Sequence, residues 1–188
     1  MKGMQEARGK KQEARYRGGR MSEQKRDNSV GELFDLLIGI EKAAQTFYLR
    51  LTEMFAHEPR AAEVWWMMAA DEGSHVQLLQ RARDTLTSEQ LAAPADPHLL
   101  EVARTAASLM AKKDWAAIET LEDAYQMAHE GEHSEINGVF EAVISEYFPV
   151  SVQQQFIQSQ LREHLDRLAS LEPPEWRQSV RARQSDAQ

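Results

Sequence analysis

Four long stretches of this sequence carry apolar residues at helical spacing, and in each the apolar stripe is interrupted near its middle by Glu or His. Ser29 is placed to cap a first helix that runs to about Phe55, with Leu33, Leu37, Glu41, Ala44, Tyr48, Leu51 and Phe55 in phase. His57-Glu58-Pro59 reads as a turn. A second helix is predicted from about Ala61 to Leu86, with Val64, Met68, Glu72, His75 and Leu79 on one stripe. The third is predicted from an Asp114 cap to Tyr147, through Tyr125, Ala128, Glu132, Ile136 and Val139. The fourth begins after Pro149, carries Ile157, Leu161, His164, Leu168 and Leu171, and stops at Glu172-Pro173-Pro174.

The connections predict how these helices pair. The links after the first and third helices are short, so those pairs read as antiparallel hairpins. The link over residues 87–113, with Pro94, Pro97 and an amphipathic stretch from Leu99 to Met110, is long enough to cross a bundle end to end. The fold class is all-α, a four-helix bundle over residues 29–172. Residues 1–28 read as a disordered basic tail and 173–188 as a polar C-terminal tail.

Composition excludes several function classes. The chain has no cysteine, which removes disulfides, thiolate metal sites and thiol catalysis. Residues 1–27 hold nine Lys/Arg against four Asp/Glu, a surplus of five, so the remainder sits near −13 in a chain whose total is −8. An acidic body argues against nucleic-acid binding, and the tail has only Tyr16 as an aromatic for base stacking. No apolar run approaches a membrane span and no signal peptide is visible, so a cytoplasmic protein without a membrane partner is expected.

Glu41, Glu72, His75, Glu132 and His164 fall where a bundle core normally holds Leu, Ile or Val. A buried carboxylate without a partner costs several kcal/mol, and neighbouring carboxylates repel. Either these positions are wet or a cation sits among them. Carboxylate and imidazole without sulfur suit iron, manganese or zinc. A Glu three residues before a His lies one turn away on the same face. Two such pairs, Glu72/His75 and Glu130/His133, are no more than a chain with 21 Glu and six His gives by accident, so the inward phase of Glu72 and His75 carries the argument. His164 lies 89 residues after His75, at the corresponding place in the second hairpin. For the third helix, hairpin repetition favours Glu130, whereas the apolar phase favours Glu132.

Glu41 with Phe47-Tyr48, then Asp71-Glu72-x-x-His75 with Leu79, then Gly131-Glu132-x-x-Glu135 followed by Val139-Phe140, resembles the ferritin-like rubrerythrin diiron domain over about residues 29–171. The resemblance implies one or two irons per chain. Glu41 would be a terminal ligand, Glu72 a bridging one and His75 the imidazole on the first metal. Glu132 would be the terminal ligand on the second metal, Glu135 a mobile one and His164 the second imidazole. Tyr48 would donate a hydrogen bond to a ligand or act as a local redox shield, with plain core packing as the alternative. The implied activity is reduction of peroxide or oxygen, or oxidation of Fe(II), in a homodimer. The chain has no rubredoxin module, so an external electron-donor protein is expected. It also departs from the pattern at Leu161, where the fourth helix should carry a bridging Glu; neighbouring Glu163 points about 100° away. That departure supports a competing expectation, a degenerate bundle acting as a non-catalytic scaffold.

Overall fold

The computed structural model describes residues 28–112, 118–134, 136–147, 159, 163–164 and 166–171. Six helices are named in it: α1 (Val30–Met54), α2 (Pro59–Thr85), α3 (Ser88–Ala92), α4 (Pro97–Lys112), α5 (Leu121–Glu132) and α6 (Ile136–Tyr147). Residues 163–164 and 166–171 are helical as well. The described chain is all-helical apart from one isolated bridge between Ser29 and Pro94.

Local chemistry sets the ends of α1 and α2. Ser29 Oγ accepts the Glu32 amide at 3.1 Å, and Glu32 lies in the first turn, where a negative charge complements the helix dipole. Pro59 opens α2 at the position where a missing N–H costs nothing. With only residues 55–58 between them, α1 and α2 fold back on each other, and their packing is the most extensive between any two described helices.

That antiparallel pair organises two apolar clusters. One joins Phe34 and Leu37 of α1 with Leu79 of α2, Leu100 and Ala103 of α4, and Phe140, Val143 and Ile144 of α6. The other joins Phe47, Tyr48 and Leu51 of α1 with Trp65 and Met68 of α2, Tyr125 and Ala128 of α5, and Leu168 and Leu171. The Glu/His positions fall between the two. Of the adjacent tryptophans, Trp65 is fully buried and Trp66 is exposed.

Three sequence expectations need correction. The link after α2 is more than a crossing strand of chain: α3 and the 16-residue α4 pack on α1, and α4 also touches α6. Asp96 Oδ1 accepts the amides of His98 and Leu99, so α4 starts earlier than the amphipathic stretch suggests and takes His98 out of the loop. Arg104 ties α4 to the start of α1 through Glu32 (2.8 Å) and Asn28 (2.8 Å). Asn28, assigned to the tail, is thus bonded to the body, in a left-handed conformation (φ 50°) that Asn tolerates well.

The third helix is two helices. Ile118, Glu119 and Thr120 are not helical, and α5 begins only at Leu121, behind a reciprocal cap between Thr120 and Asp123. The Asp114 cap lies outside the described residues. α5 then ends at Glu132, with His133 as its C-cap, and α6 starts afresh at Ile136. The first part of the fourth helix, including Leu161, and both tails up to residue 27 and from residue 172 lie outside the described residues.

Phe34 is fully buried and meets Tyr147 edge-on at 5.5 Å between ring centroids. Phe34→Ala is expected to cost about 3–5 kcal/mol, read as a lower midpoint in urea unfolding.

Candidate metal centre

The α1 stripe places Glu41 and Tyr48 two turns apart on the face that meets α2 and α5. On α2, Glu72 and His75 lie one turn apart on the face turned toward α1. Glu132 arrives on the last turn of α5, and His164 from the C-terminal helical residues. His75 and His164 are 2% and 1% exposed, and Glu41 and Glu72 are also buried.

These five groups converge. His75 Nδ1 lies 3.0 Å from Glu72 Oε2 and 3.4 Å from Glu41 Oε2. His164 Nδ1 lies 3.3 Å from Glu132 Oε2 and 3.9 Å from Glu72 Oε1. The two imidazole rings stand 5.2 Å apart. Two triads able to hold a metal ion result: the buried Glu41, Glu72 and His75, and Glu72, Glu132 and His164, in which Glu132 is half-buried, with the ligand atoms of each within 4.8 Å of one another. Glu72 belongs to both, offering one oxygen to each side.

The electrostatics are those of a site short of positive charge. Burial pushes the Glu72 carboxyl well above its ordinary value, and the charges of Glu41 and Glu132 push it further, against the smaller pull of His164. Glu41 moves the other way: burial raises it, but hydrogen bonds from His75 and Glu72 and the charges of both histidines bring it below its ordinary value. His164 is lowered by burial and raised more strongly by Glu132 and Glu72, for a net rise. Burial and the same carboxylates hold the Tyr48 hydroxyl well above its usual range, so it stays protonated. A cation would remove the repulsion among three carboxylates, and the donor set of oxygen and imidazole nitrogen fits iron, manganese or zinc.

Around the five groups lies a supporting layer. Tyr48 donates a hydrogen bond to Glu132 Oε1 at 2.6 Å. The Phe140 ring packs 5.0 Å from His75. Behind His164, Nε2 approaches Asp71 Oδ2 at 3.2 Å without an aligned hydrogen bond, and Arg167 pairs with the same oxygen. Asp71, paired with Arg167, thus lies at the edge of the ring away from Nδ1, which faces the carboxylates. The stripe argument missed both, although the Asp directly before Glu72 was visible. His75 Nε2 is buried with no hydrogen-bond partner among the described residues.

Of the two candidates on the third helix, the structure brings Glu132 to the cluster and leaves Glu130 exposed. Glu135 lies outside the described residues. His129 and His133 stack on each other at 3.9 Å, and His133 is exposed, so neither belongs to the five. Among the described residues no helix is long and apolar enough to cross a membrane. Compared with known proteins, the chain matches no family model, no curated protein and no solved structure.

Two measurements follow from the charge balance. Glu72 holds its proton more tightly when folded, so the metal-free protein loses stability as pH rises above the ordinary value of 4.5. Metal-free Glu72→Gln is therefore expected to melt higher than the parent at pH 7–8, with the gap closing toward pH 4.5, followed by circular dichroism. Metal would displace the proton that burial and neighbouring carboxylates favour on Glu72 and the one that Glu132 and Glu72 favour on His164. Metal uptake is expected to release about two protons and to weaken as pH falls, measured by calorimetry in buffers of different ionisation enthalpy.

Proposed function

We propose that this chain is a ferritin-like metalloprotein of rubrerythrin type, with a metal centre of one or two ions, iron first among the candidates, that reduces peroxide or oxygen or oxidises Fe(II). In this reading α1–α2 is the first hairpin, α3 and α4 form the crossover, and α5, α6 and the C-terminal helical residues complete the second hairpin. The observation that carries the proposal is Glu72, one buried carboxylate shared between two Glu/His triads. A shared carboxylate flanked by one imidazole and one further carboxylate on each side is a donor set for a metal pair.

Bound there, iron would supply the redox couple and Lewis acidity that peroxide or oxygen chemistry requires. The chain's own groups do the rest. Glu41 and Glu132 each close one side, Tyr48 fixes the direction of the Glu132 carboxylate, and Asp71, paired with Arg167, lies beside the far edge of the His164 ring. Both imidazoles are almost fully buried, so the apolar clusters hold their rings in place. With no cysteine in this sequence to carry electrons, reduction of peroxide or oxygen would draw on an electron donor outside it.

Leu161 favours a second reading, a bundle that has kept the fold and lost the chemistry as a scaffold, because it leaves the fourth helix one carboxylate short of the family's pattern. Anaerobic loading with Fe(II), followed by metal analysis and visible spectra before and after peroxide, separates the two. The metal-centre reading expects about two irons per chain, with an absorption change on adding peroxide that Glu72→Ala abolishes. It also expects metal to raise the melting temperature of the parent and not of Glu72→Ala. One iron would mean a half-site around Glu41, Glu72 and His75. No retained metal would leave the scaffold reading.

A further inference from the structure

A cavity of about 420 Å³ opens between α1, the C-terminal half of α4 and the break between α5 and α6, and its inner end is the Glu/His cluster. At about 30 Å³ per water that is room for roughly a dozen molecules, whereas peroxide takes the room of about two. Away from the cluster the walls are mostly apolar, with Ile40, Ala44 and Phe47 from α1, Ala106 and Met110 from α4 and Met127 from α5, while Lys112, Glu130, Ser134 and Asn137 add polar groups to the lining. Its volume lies within the usual range of small-molecule sites. Met110 and Met127 are unbranched and polarizable, suited to moulding around an apolar guest.

We infer that this cavity binds a neutral organic molecule of about eight to ten carbon atoms, ending in a hydroxyl or carbonyl oxygen directed at the Glu/His cluster. The size follows from a methylene needing about the room of a water, with the remaining space left for the polar end. In the metal-free protein neutrality follows from the inner end, where Glu41 and Glu132 repel an anionic head group, and it is there that octanoate is compared with octanol. A bare hydrocarbon would leave that polar end unsatisfied, whereas a hydroxyl or carbonyl accepts a hydrogen bond or coordinates a cation. The inference deepens the metal-centre reading and rests on it for the direction of the oxygen; occupancy of the cavity depends on the apolar walls alone.

The test is calorimetric titration of the full chain, metal-free and iron-loaded, with 1-butanol, 1-hexanol and 1-octanol, and with octanoate as the charged counterpart. Saturable binding of one molecule per chain is expected, with affinity rising about fourfold per methylene and octanoate weaker than octanol in the metal-free protein. In protein labelled with ¹³C at the methionine methyls, octanol should shift Met110 and Met127. Ala44→Phe and Ala106→Phe fill the cavity from α1 and from α4, and each should weaken octanol about tenfold or more while leaving iron content unchanged. Should one variant fail to fold, the other and the alcohol series on the parent still decide. No saturable octanol binding, unmoved Met110 and Met127 signals, or undiminished binding in a folded Phe variant would overturn the inference. Octanol binding without iron uptake would sink the metal centre and leave the pocket; iron uptake without octanol binding would sink the pocket alone.

Discussion

Glu72 is pressed between Glu41 and Glu132 in a layer that two apolar clusters close from above and below, and the rest of the molecule has to accommodate that repulsion. Three carboxylates at this depth are tolerable only if protons or cations share the space. In the protein alone, the two imidazoles and the proton on Glu72 do that work, and Glu41 is left as the ionised partner. The arrangement spends stability on charge. The Phe34–Phe140 side and the Trp65–Leu168 side supply the apolar burial that offsets it.

Much of this centre was legible because a helix converts sequence spacing into direction. Glu41, Tyr48, Glu72, His75, Glu132 and His164 each share a phase with buried Leu, Ile, Val or Ala, and all but Tyr48 are donor groups that meet at one level. Asp71 was not found in this way because it lies one position, and so about 100°, off the stripe; its role comes from a neighbour on another segment. The fold was legible at the coarser level, as an all-helical chain with a hairpin of α1 and α2.

The break in the third helix was hidden for a physical reason. Ile136 follows Glu132 by four residues, so the apolar phase runs through His133 and Ser134 without a slip. The local signals were the Thr120–Asp123 capping pair, which starts α5 late, and Asn137, whose side-chain amide donates to the Glu132 carbonyl at 2.7 Å. α4 was legible only as an amphipathic stretch within the connection, because its buried positions, Leu100 and Ala103, are few. Its apolar face is shared between the core and the cavity wall.

Ending α5 at Glu132 also has an electrical consequence. The carbonyl groups of the last helical turn carry the negative end of the helix dipole, equivalent to about half an elementary charge, and here that end lies beside the carboxylate that reaches the cluster. Asn137 satisfies one of those carbonyls without neutralising the field of the turn. Part of the attraction for cations is therefore built into the backbone, where substitution of side chains does not reach it. An unbroken helix through residue 136 would have carried its negative end away toward Tyr147.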